Sequence, residues 1–149
     1  MNFFNIDIDT RTFLKEIDKF EKDVKLNLVN SINDCAEDLL NKSQALTPLL
    51  TGDLQSSGSV TKATKDNLDA KVGYNSKYAI YQHEKPYSNK IYKAYYRGRY
   101  IGTVVGGRGV FTRNKPGVDG MAAGRKYLER PIKKYKDKYL KYKNSNLLK

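Results

Sequence analysis

The feature that most constrains the fold is an uninterrupted run from about Thr10 to Leu46 without glycine or proline. Its apolar residues recur at steps of three and four, which places them on one face of an α-helix. Asp9 or Thr10 can cap the first turn, and Pro48 ends the pattern because the residue before a proline disfavours helical geometry. The helical face comprises Phe13, Ile17, Phe20, Val24, Leu28, Ile32, Ala36, Leu39 and Leu46, with Ser43 at the same spacing.

Such a helix exceeds what a small domain needs to cover its core. At about 1.5 Å per residue it is on the order of 50 Å long, against an average of ~10–14 residues for helices in globular proteins. We therefore expect its first turns, with Phe13 and Ile17, to reach beyond the domain and pack on another subunit. The alternative is a break near Asn30 and Ser31 that gives two ordinary helices.

The middle of the chain has the alternation and turn residues of short strands. Residues 57–64 and 68–74 predict a strand pair around a polar turn, and residues 91–96 and 100–105 predict a hairpin. Residues 78–84 form a short apolar and aromatic segment that fits either a strand or one helical turn. Residues 54–105 are therefore expected to hold a small antiparallel sheet with a hairpin.

The last third combines a glycine-rich segment with a basic helix. Residues 106–121 are rich in glycine and basic residues, which indicates an open, mobile loop. Residues 122–142 repeat apolar residues at helical spacing, with lysine on the opposite face, and the main helix should begin beside Pro131. The expected fold is a single α+β domain over residues 1–149, with a long N-terminal helix and a C-terminal helix packed on a small antiparallel sheet.

Charge is divided unevenly along the chain. The formal net charge is +12, yet residues 1–84 hold 10 basic and 13 acidic side chains while residues 85–149 hold 18 basic and 3 acidic ones. A basic half of this kind is typical of a protein that meets a polyanion, either nucleic acid or an acidic protein surface. A solvated basic surface explains the same count, and both readings stay open.

The residue types required by common catalytic and metal sites are sparse. One cysteine and one histidine exclude an internal disulfide, a cysteine-rich metal site and the usual histidine-based metal sites. Gly106-Gly107-Arg108-Gly109 lacks the Gly-Lys-Ser/Thr of a phosphate loop, and no serine stands in a Gly-x-Ser-x-Gly turn. No apolar run approaches the ~18 residues of a membrane helix, and the first residues do not resemble a secretory signal. We expect no cofactor, no metal and no membrane contact.

Tyrosines interleaved with basic residues are the strongest remaining signal. Aromatic platforms with cations suit single-stranded nucleic acid, and tyrosine and arginine are also enriched in protein interfaces. A two-faced strand with tyrosine inside and lysine outside explains the same residues, so three readings remain. The candidate interface residues here are Tyr92, Tyr95, Tyr96, Arg97, Arg99 and Tyr100, with Arg108 and Arg113 following in the glycine-rich segment.

Three segments, in this order, resemble the small neck proteins of tailed phages, known as minor capsid, head–tail connector or tail-completion proteins. The first segment is the long helix leading into a proline turn and a Thr-Gly-x-Leu motif. The second is a strand followed by Tyr-Ala-x-x-x-x-Glu, and the third is an aromatic-Leu-x-x-Pro start of the last helix. The matching positions are Pro48, Thr51, Gly52 and Leu54, then Tyr78, Ala79 and Glu84, then Leu128 and Pro131. Lys85-Pro86 departs from the family's Gly-Thr, and residues 87–120 are longer than its usual connection.

The resemblance implies a non-enzymatic role in assembly. Copies of the chain would form a ring at the head–tail junction of the virion, between head-completion proteins and the tail terminator, after synthesis in the bacterial host cytoplasm. The basic half could face acidic neighbouring rings or the DNA in the channel. The motif residues would fix how the helix crosses the sheet and where the long loop departs.

Two other functions compete with this one. A small basic nucleic-acid-binding protein, or a ribonuclease toxin that positions its substrate, would also use tyrosines and arginines in this pattern. A cell-surface or secreted binding module is disfavoured because the sequence lacks a signal.

Overall fold

The long amphipathic run folds as one continuous helix. A computed structural model describes residues 10–86 and 88–147, and its first element is α1, Thr10–Leu46. The predicted helix is thus confirmed without a break at Asn30 and Ser31, whereas the suggested cap at Asp9 lies outside the described residues. The other elements are α2 (Asp53–Ser56), β1 (Gly58–Thr61), β2 (Lys71–Tyr74), α3 (Ala79–Glu84), β3 (Ile91–Tyr96), β4 (Arg99–Val105), α4 (Val110–Arg113) and α5 (Glu129–Asn146).

The strands form two separate antiparallel pairs, where the sequence suggested one small sheet. In the first, β1 pairs with β2 with Val60 opposite Val72; in the second, β3 pairs with β4 with Tyr92 opposite Val104. The strands of the first pair are shorter than residues 57–64 and 68–74, and residues 79–84 are helical. The α+β class is confirmed, with two hairpins in place of a single sheet.

Helix α5 packs along the C-terminal half of α1 and is held there by tyrosine hydroxyls. Tyr139 donates to Asp38 Oδ2 at 2.8 Å, and Tyr142 donates to Asp34 Oδ2 at 3.0 Å. Lys42 forms an ion pair with Asp38. Burial raises the pKa of Asp38, but the hydrogen bonds from Lys42 and Tyr139 outweigh it, so the pKa of Asp38 lies below its ordinary value.

The core lies where the C-terminal end of α1 meets α2, α3 and the segment before α5. Leu46, Leu54, Ala79 and Tyr127 form its buried cluster. The Tyr127 ring meets the Tyr74 ring edge-on at 5.0 Å between centroids. The buried cluster therefore lies at the C-terminal end of α1, and the N-terminal end of α1 projects away from it.

Residues 106–121 differ from the open loop that the sequence predicts. They contain α4, and two isolated β-bridges lie on either side of it, Val105 with Arg108 and Val118 with Met121. The predicted helix over 122–142 instead begins at Glu129 and ends at Asn146, which puts Pro131 in its first turn. Proline is tolerated there because the first backbone N–H groups of a helix have no partner within it. The mobility expected for 106–121 stays a prediction.

Candidate assembly interface

Residues 47–52 connect α1 to α2, and we call them the proline turn. The backbone of Gly52 and the hydroxyl of Thr51 fix its shape. Gly52 has φ +94°, a left-handed conformation that favours glycine. Thr51 Oγ1 donates to Asp53 Oδ2 at 2.6 Å, and the Asp53 N–H donates back to Thr51 Oγ1 at 3.4 Å. The turn points Leu54 into the core, where its side chain is buried. Thr51, Gly52 and Leu54 thus shape this turn, and the orienting role that the resemblance implies for them stays a prediction.

Lys115 closes the C-terminal end of α1 from a distant part of the chain. Its Nζ donates to Gln44 O at 2.8 Å, to Thr47 O at 3.1 Å and to Gln55 Oε1 at 3.0 Å. The last carbonyls of a helix have no partner within the helix, so a lysine there satisfies them and complements the helix dipole. Partial burial lowers the pKa of Lys115.

Two further contacts attach the same region to the proline turn. Thr112 of α4 is buried, accepts from the Leu49 N–H at 2.9 Å and donates to Leu49 O at 3.3 Å. The Gly124 N–H donates to Leu46 O at 2.8 Å. Residues 112–124, which follow β4, therefore bond to the last carbonyls of α1 and pack against the proline turn.

Glu84 joins α3 to the start of α5. Its carboxylate pairs with Lys126, which also pairs with Glu129 at 3.0 Å. His83 Nε2 accepts from the Glu129 N–H at 3.4 Å, so its Nδ1–H donates to Glu84 Oε1 at 2.7 Å. Hydrogen bonds from Lys126 first and His83 second lower the pKa of Glu84. Glu84 thus acts as a structural tie.

The remaining family positions surround Tyr127. The Tyr127 hydroxyl donates to Ala79 O at 2.8 Å, and its ring meets the His83 ring at 5.0 Å between centroids. Leu128 packs beside this cluster, and Pro131 is fully buried. Tyr78 differs, because its side chain is exposed. Tyr78 is therefore the aromatic family position whose side chain faces solvent.

The β3–β4 hairpin presents its aromatic residues to solvent. Arg97 and Gly98 both have positive φ, which is typical of the two-residue turn that suits hairpin twist. Tyr95 and Tyr100 face each other across the strands at 5.8 Å between ring centroids and are both more than half exposed. The Arg97 guanidinium lies 5.4 Å from the Tyr96 ring centroid. The outward tyrosines contradict a simple strand with tyrosine inside and lysine outside.

The projecting end of α1 carries unpartnered apolar residues. Phe13 and Ile17 are 58% and 44% exposed, and Leu14 and Phe20 are about as exposed as Phe13. Every residue from Thr10 to Asp23 is exposed. We call Phe13, Ile17 and Phe20 the apolar stripe. The prediction that these turns reach beyond the core is consistent with this geometry.

A groove of about 430 Å³ opens between the proline turn, α3, the hairpin and α4. Its wall combines residues of the motifs with residues of the hairpin, so Pro48, Thr51, Gly52, Leu54 and Tyr78 meet Tyr92 and Tyr95 there. Leu50 and Phe111, both largely exposed, also line it. We call this the proline-turn groove.

The other candidate residues do not line this groove. Arg108 NH1 donates to Ala123 O at 3.5 Å, in an adjoining basic pocket of about 370 Å³ that includes Arg125 and Arg130 and shares Lys85 with the groove. Arg113 NH2 donates to Thr103 O at 3.0 Å and so braces β4. Tyr96, Arg97, Arg99 and Tyr100 are at the hairpin tip, and Phe13 and Ile17 are at the far end of α1.

Sequence reasoning missed Lys115, Thr112, Leu50 and Phe111. The available signal was the apolar Leu49-Leu50 pair after Pro48, which lies outside both helical and strand periodicity. No comparable pattern marked Lys115, since its partners are more than 55 positions away.

Within residues 10–86 and 88–147, no group of histidine, cysteine, aspartate and glutamate side chains could hold a metal ion. No described helix is long and apolar enough to cross a membrane.

Comparison with known proteins gives one match. Residues 11–83 match the family described as "Bacteriophage HK97-gp10, putative tail-component". No curated protein and no solved structure matches the chain. The matched region contains α1 from its second residue, the proline turn, the first strand pair and most of α3. It covers the first segment that carried the resemblance to tailed-phage neck proteins and the second segment up to the residue before Glu84. Residues 11–83 are therefore similar to the HK97-gp10-like family of bacteriophage tail components, which agrees with the resemblance to tailed-phage neck proteins.

Proposed function

We propose that this protein is a structural component of a phage virion that forms a ring in the neck joining head to tail. The family match supports the broader role of a phage tail component. The ring, its place at the head–tail junction and its neighbours on the head-completion and tail-terminator sides are our proposal. The role is one of assembly and needs no cofactor.

The observation that carries the proposal is the exposed apolar end of α1. Phe13, Ile17 and Phe20 lie on one face of a helix that extends away from the core. Exposed contiguous apolar surface marks interaction sites, because water contact is unfavourable for it. Because this surface lies at the end of α1 away from the core, a neighbouring subunit can cover it and its own domain does not.

The charge distribution fits a position beside a polyanion. Residues 85–149 hold 18 basic and 3 acidic side chains. In the neck, this half would face acidic surfaces of neighbouring rings or the DNA that passes through the channel. Such a field speeds encounter and weakens as salt is added.

Two measurements test the function. Sedimentation velocity of the purified protein should show a discrete oligomer at high protein concentration, and gold-labelled antibody should mark the head–tail junction in micrographs of virions. A protein that stays monomeric at every concentration and is missing from purified particles would contradict the proposal.

A second candidate function is supported by the hairpin tip. The exposed Tyr95 and Tyr100 rings face each other on the hairpin whose turn carries Arg97, and the Arg97 guanidinium lies over the Tyr96 ring. Aromatic rings beside a cation suit stacking with single-stranded nucleic acid. If this is the function, the monomer binds RNA or single-stranded DNA with an affinity that falls steeply with salt, and Tyr95→Ala removes most of the binding. The ribonuclease version also requires RNA cleavage by the wild-type protein, with loss in Arg97→Ala.

A further inference from the structure

We infer that the proline-turn groove of one copy receives the apolar stripe of the next copy. This inference rests on the proposed function, because it names the contact that would close the ring. Its occupant is a second copy of this chain, and the argument comes from the distance between the two surfaces, their apolar character and their charge.

The two surfaces cannot meet within one chain. Pro48, Leu49 and Leu50 line the groove directly after α1 ends at Leu46. Ile17 lies 29 positions before Leu46, which at 1.5 Å per residue places the stripe about 40 Å away along the helix axis. No glycine or proline interrupts α1, so the helix has no sharp kink to fold the stripe back.

A contact between two different surfaces on identical chains allows two closed arrangements. In a two-fold dimer, each copy's stripe would occupy the other copy's groove. In a ring, each copy offers its stripe to one neighbour and its groove to the next, which is the arrangement that the proposed function requires. Covalent oligomers larger than a dimer would distinguish the ring from the reciprocal pair.

The chemistry of the groove fits an apolar helix face. Its exposed lining includes Leu50, Phe111, Tyr92 and Tyr95, with Ile101 and Val110 beside them. This is the composition of a groove that takes the apolar face of an amphipathic helix. The stripe supplies side chains at the i, i+4 and i+7 positions that such grooves accept.

Charge on the two surfaces is complementary. At 100° per residue, Glu16 and Asp23 lie along one edge of the stripe and Glu21 along the other, all exposed. Lys15, Lys19 and Lys22 lie on the opposite face of the same turns. The lining of the groove includes Lys85 and Lys93 and, among the described residues, no carboxylate. Acidic edges on the stripe therefore meet basic groups at the groove.

Two carboxylates adjoin lining residues along the chain. Asp53 follows Gly52 and accepts the Thr51 hydroxyl at 2.6 Å, and Glu84 precedes Lys85 and forms an ion pair with Lys126.

Cross-linking tests the contact directly. In a Cys35→Ser background, Ile17→Cys combined with Leu50→Cys should give a ladder of covalent oligomers with a short bis-maleimide, and no internally linked monomer. The matched control is Lys22→Cys with Leu50→Cys, whose first cysteine lies on the opposite face of α1. This control should give at most a tenth of the ladder.

Charge exchange provides a second test that does not depend on cysteine geometry. Lys85→Glu with Lys93→Glu should abolish oligomers, and so should Glu16→Lys with Glu21→Lys and Asp23→Lys. All five substitutions in one chain, or the two variants mixed, should restore assembly because opposite charges again face each other. Lys93 and the three acidic residues are exposed and Lys85 is half-buried, so circular dichroism should confirm an unchanged fold.

The outcomes separate this contact from the ring itself. Oligomers that form without the Ile17–Leu50 cross-link and without rescue by charge exchange would overturn the groove contact and leave the proposed function standing. A chain that stays monomeric under all conditions would overturn both. The cross-linked ladder together with the rescue would establish the contact.

Discussion

At the residue scale, Lys115 attaches the segment after β4 to the end of α1. It donates to two carbonyls near the helix terminus and to the Gln55 side chain. We expect Lys115→Met, which keeps the length of the side chain, to lower the free energy of unfolding by about 2 kcal/mol, because hydrogen bonds from a charged donor are lost and their acceptors stay partly buried. Urea denaturation measures the change.

The matched control is Lys65→Met. Lys65 is exposed in the turn between β1 and β2, and its loss should change stability by less than about 0.5 kcal/mol. Equal effects of the two substitutions would show that Lys115 does not hold the end of α1.

Tyr127 makes the stability of the protein depend on alkaline pH. Burial raises its pKa to about 12, with a further contribution from the nearby Tyr74, whose own pKa is also raised to about 12 by burial. The folded state therefore keeps protons that the unfolded chain releases above pH 10. Stability is complete below pH 10 and should fall between pH 10 and 12, by on the order of 2 kcal/mol for Tyr127.

Thermal unfolding followed across this pH range measures the loss. Tyr127→Phe should be less stable at neutral pH, since its hydrogen bond to Ala79 O is lost, and should show a shallower decline above pH 10. A decline as steep as that of the wild type would assign the effect to other tyrosines.

At the scale of elements, the turn after α1 depends on the backbone of one glycine. Gly52 has φ +94° and no atom within 4 Å of the position that a Cβ would occupy. Gly52→Ala should therefore cost about 1 kcal/mol through backbone strain alone. Gly73 in β2 has equally open space but no positive φ, so Gly73→Ala should cost less. Chemical denaturation of both variants compares them, and equal costs would contradict the strain argument.

The elements that the sequence predicted well are those with local signals. The bounds of α1 and the two strands of the second hairpin follow from periodicity and from the Arg97-Gly98 turn, which act over a few residues. Helix α4 has four residues, which is too short for any period to appear. The sequence predicts one sheet where the structure has two strand pairs, because it does not show whether strands from different hairpins pair with each other.

The same limit applies to the candidate interface. Phe13 and Ile17 were found because an exposed stripe has the helical period. The sequence does not predict the proline-turn groove, because the groove is lined by four separate segments that only the fold brings together. Tyr92 and Tyr95 are predicted because tyrosines alternate with basic residues in that stretch, whereas Leu50 and Phe111 belong to no periodic pattern.

At the scale of the whole molecule, the core and the apolar stripe are located at opposite ends of α1. The core and the caps surround its C-terminal end, where Leu46 and Thr47 are fully buried. The N-terminal turns make no contribution to that core, since every residue from Thr10 to Asp23 is exposed. Substitutions in the two regions should therefore have separable effects.

The triple variant Phe13→Gln, Ile17→Gln and Phe20→Gln tests this separation. Glutamine has good helix propensity and removes the apolar surface, so α1 should persist and the monomer's free energy of unfolding, measured at low protein concentration, should change by less than about 0.5 kcal/mol. Assembly should be lost, because desolvation of these side chains drives the contact. Sedimentation velocity reports the oligomer, and circular dichroism reports the helix.

Substitution of lysines on the opposite face gives the matched control. Lys15→Gln, Lys19→Gln and Lys22→Gln change the same turns of α1 with the same new residue and should leave the oligomer intact. If both triple variants dissociate, the contact involves both faces of these turns and is not confined to the apolar stripe. If neither does, the apolar stripe is not an interface, and the contacts that build the ring lie elsewhere, with the exposed tyrosines of the hairpin as the next surface to change.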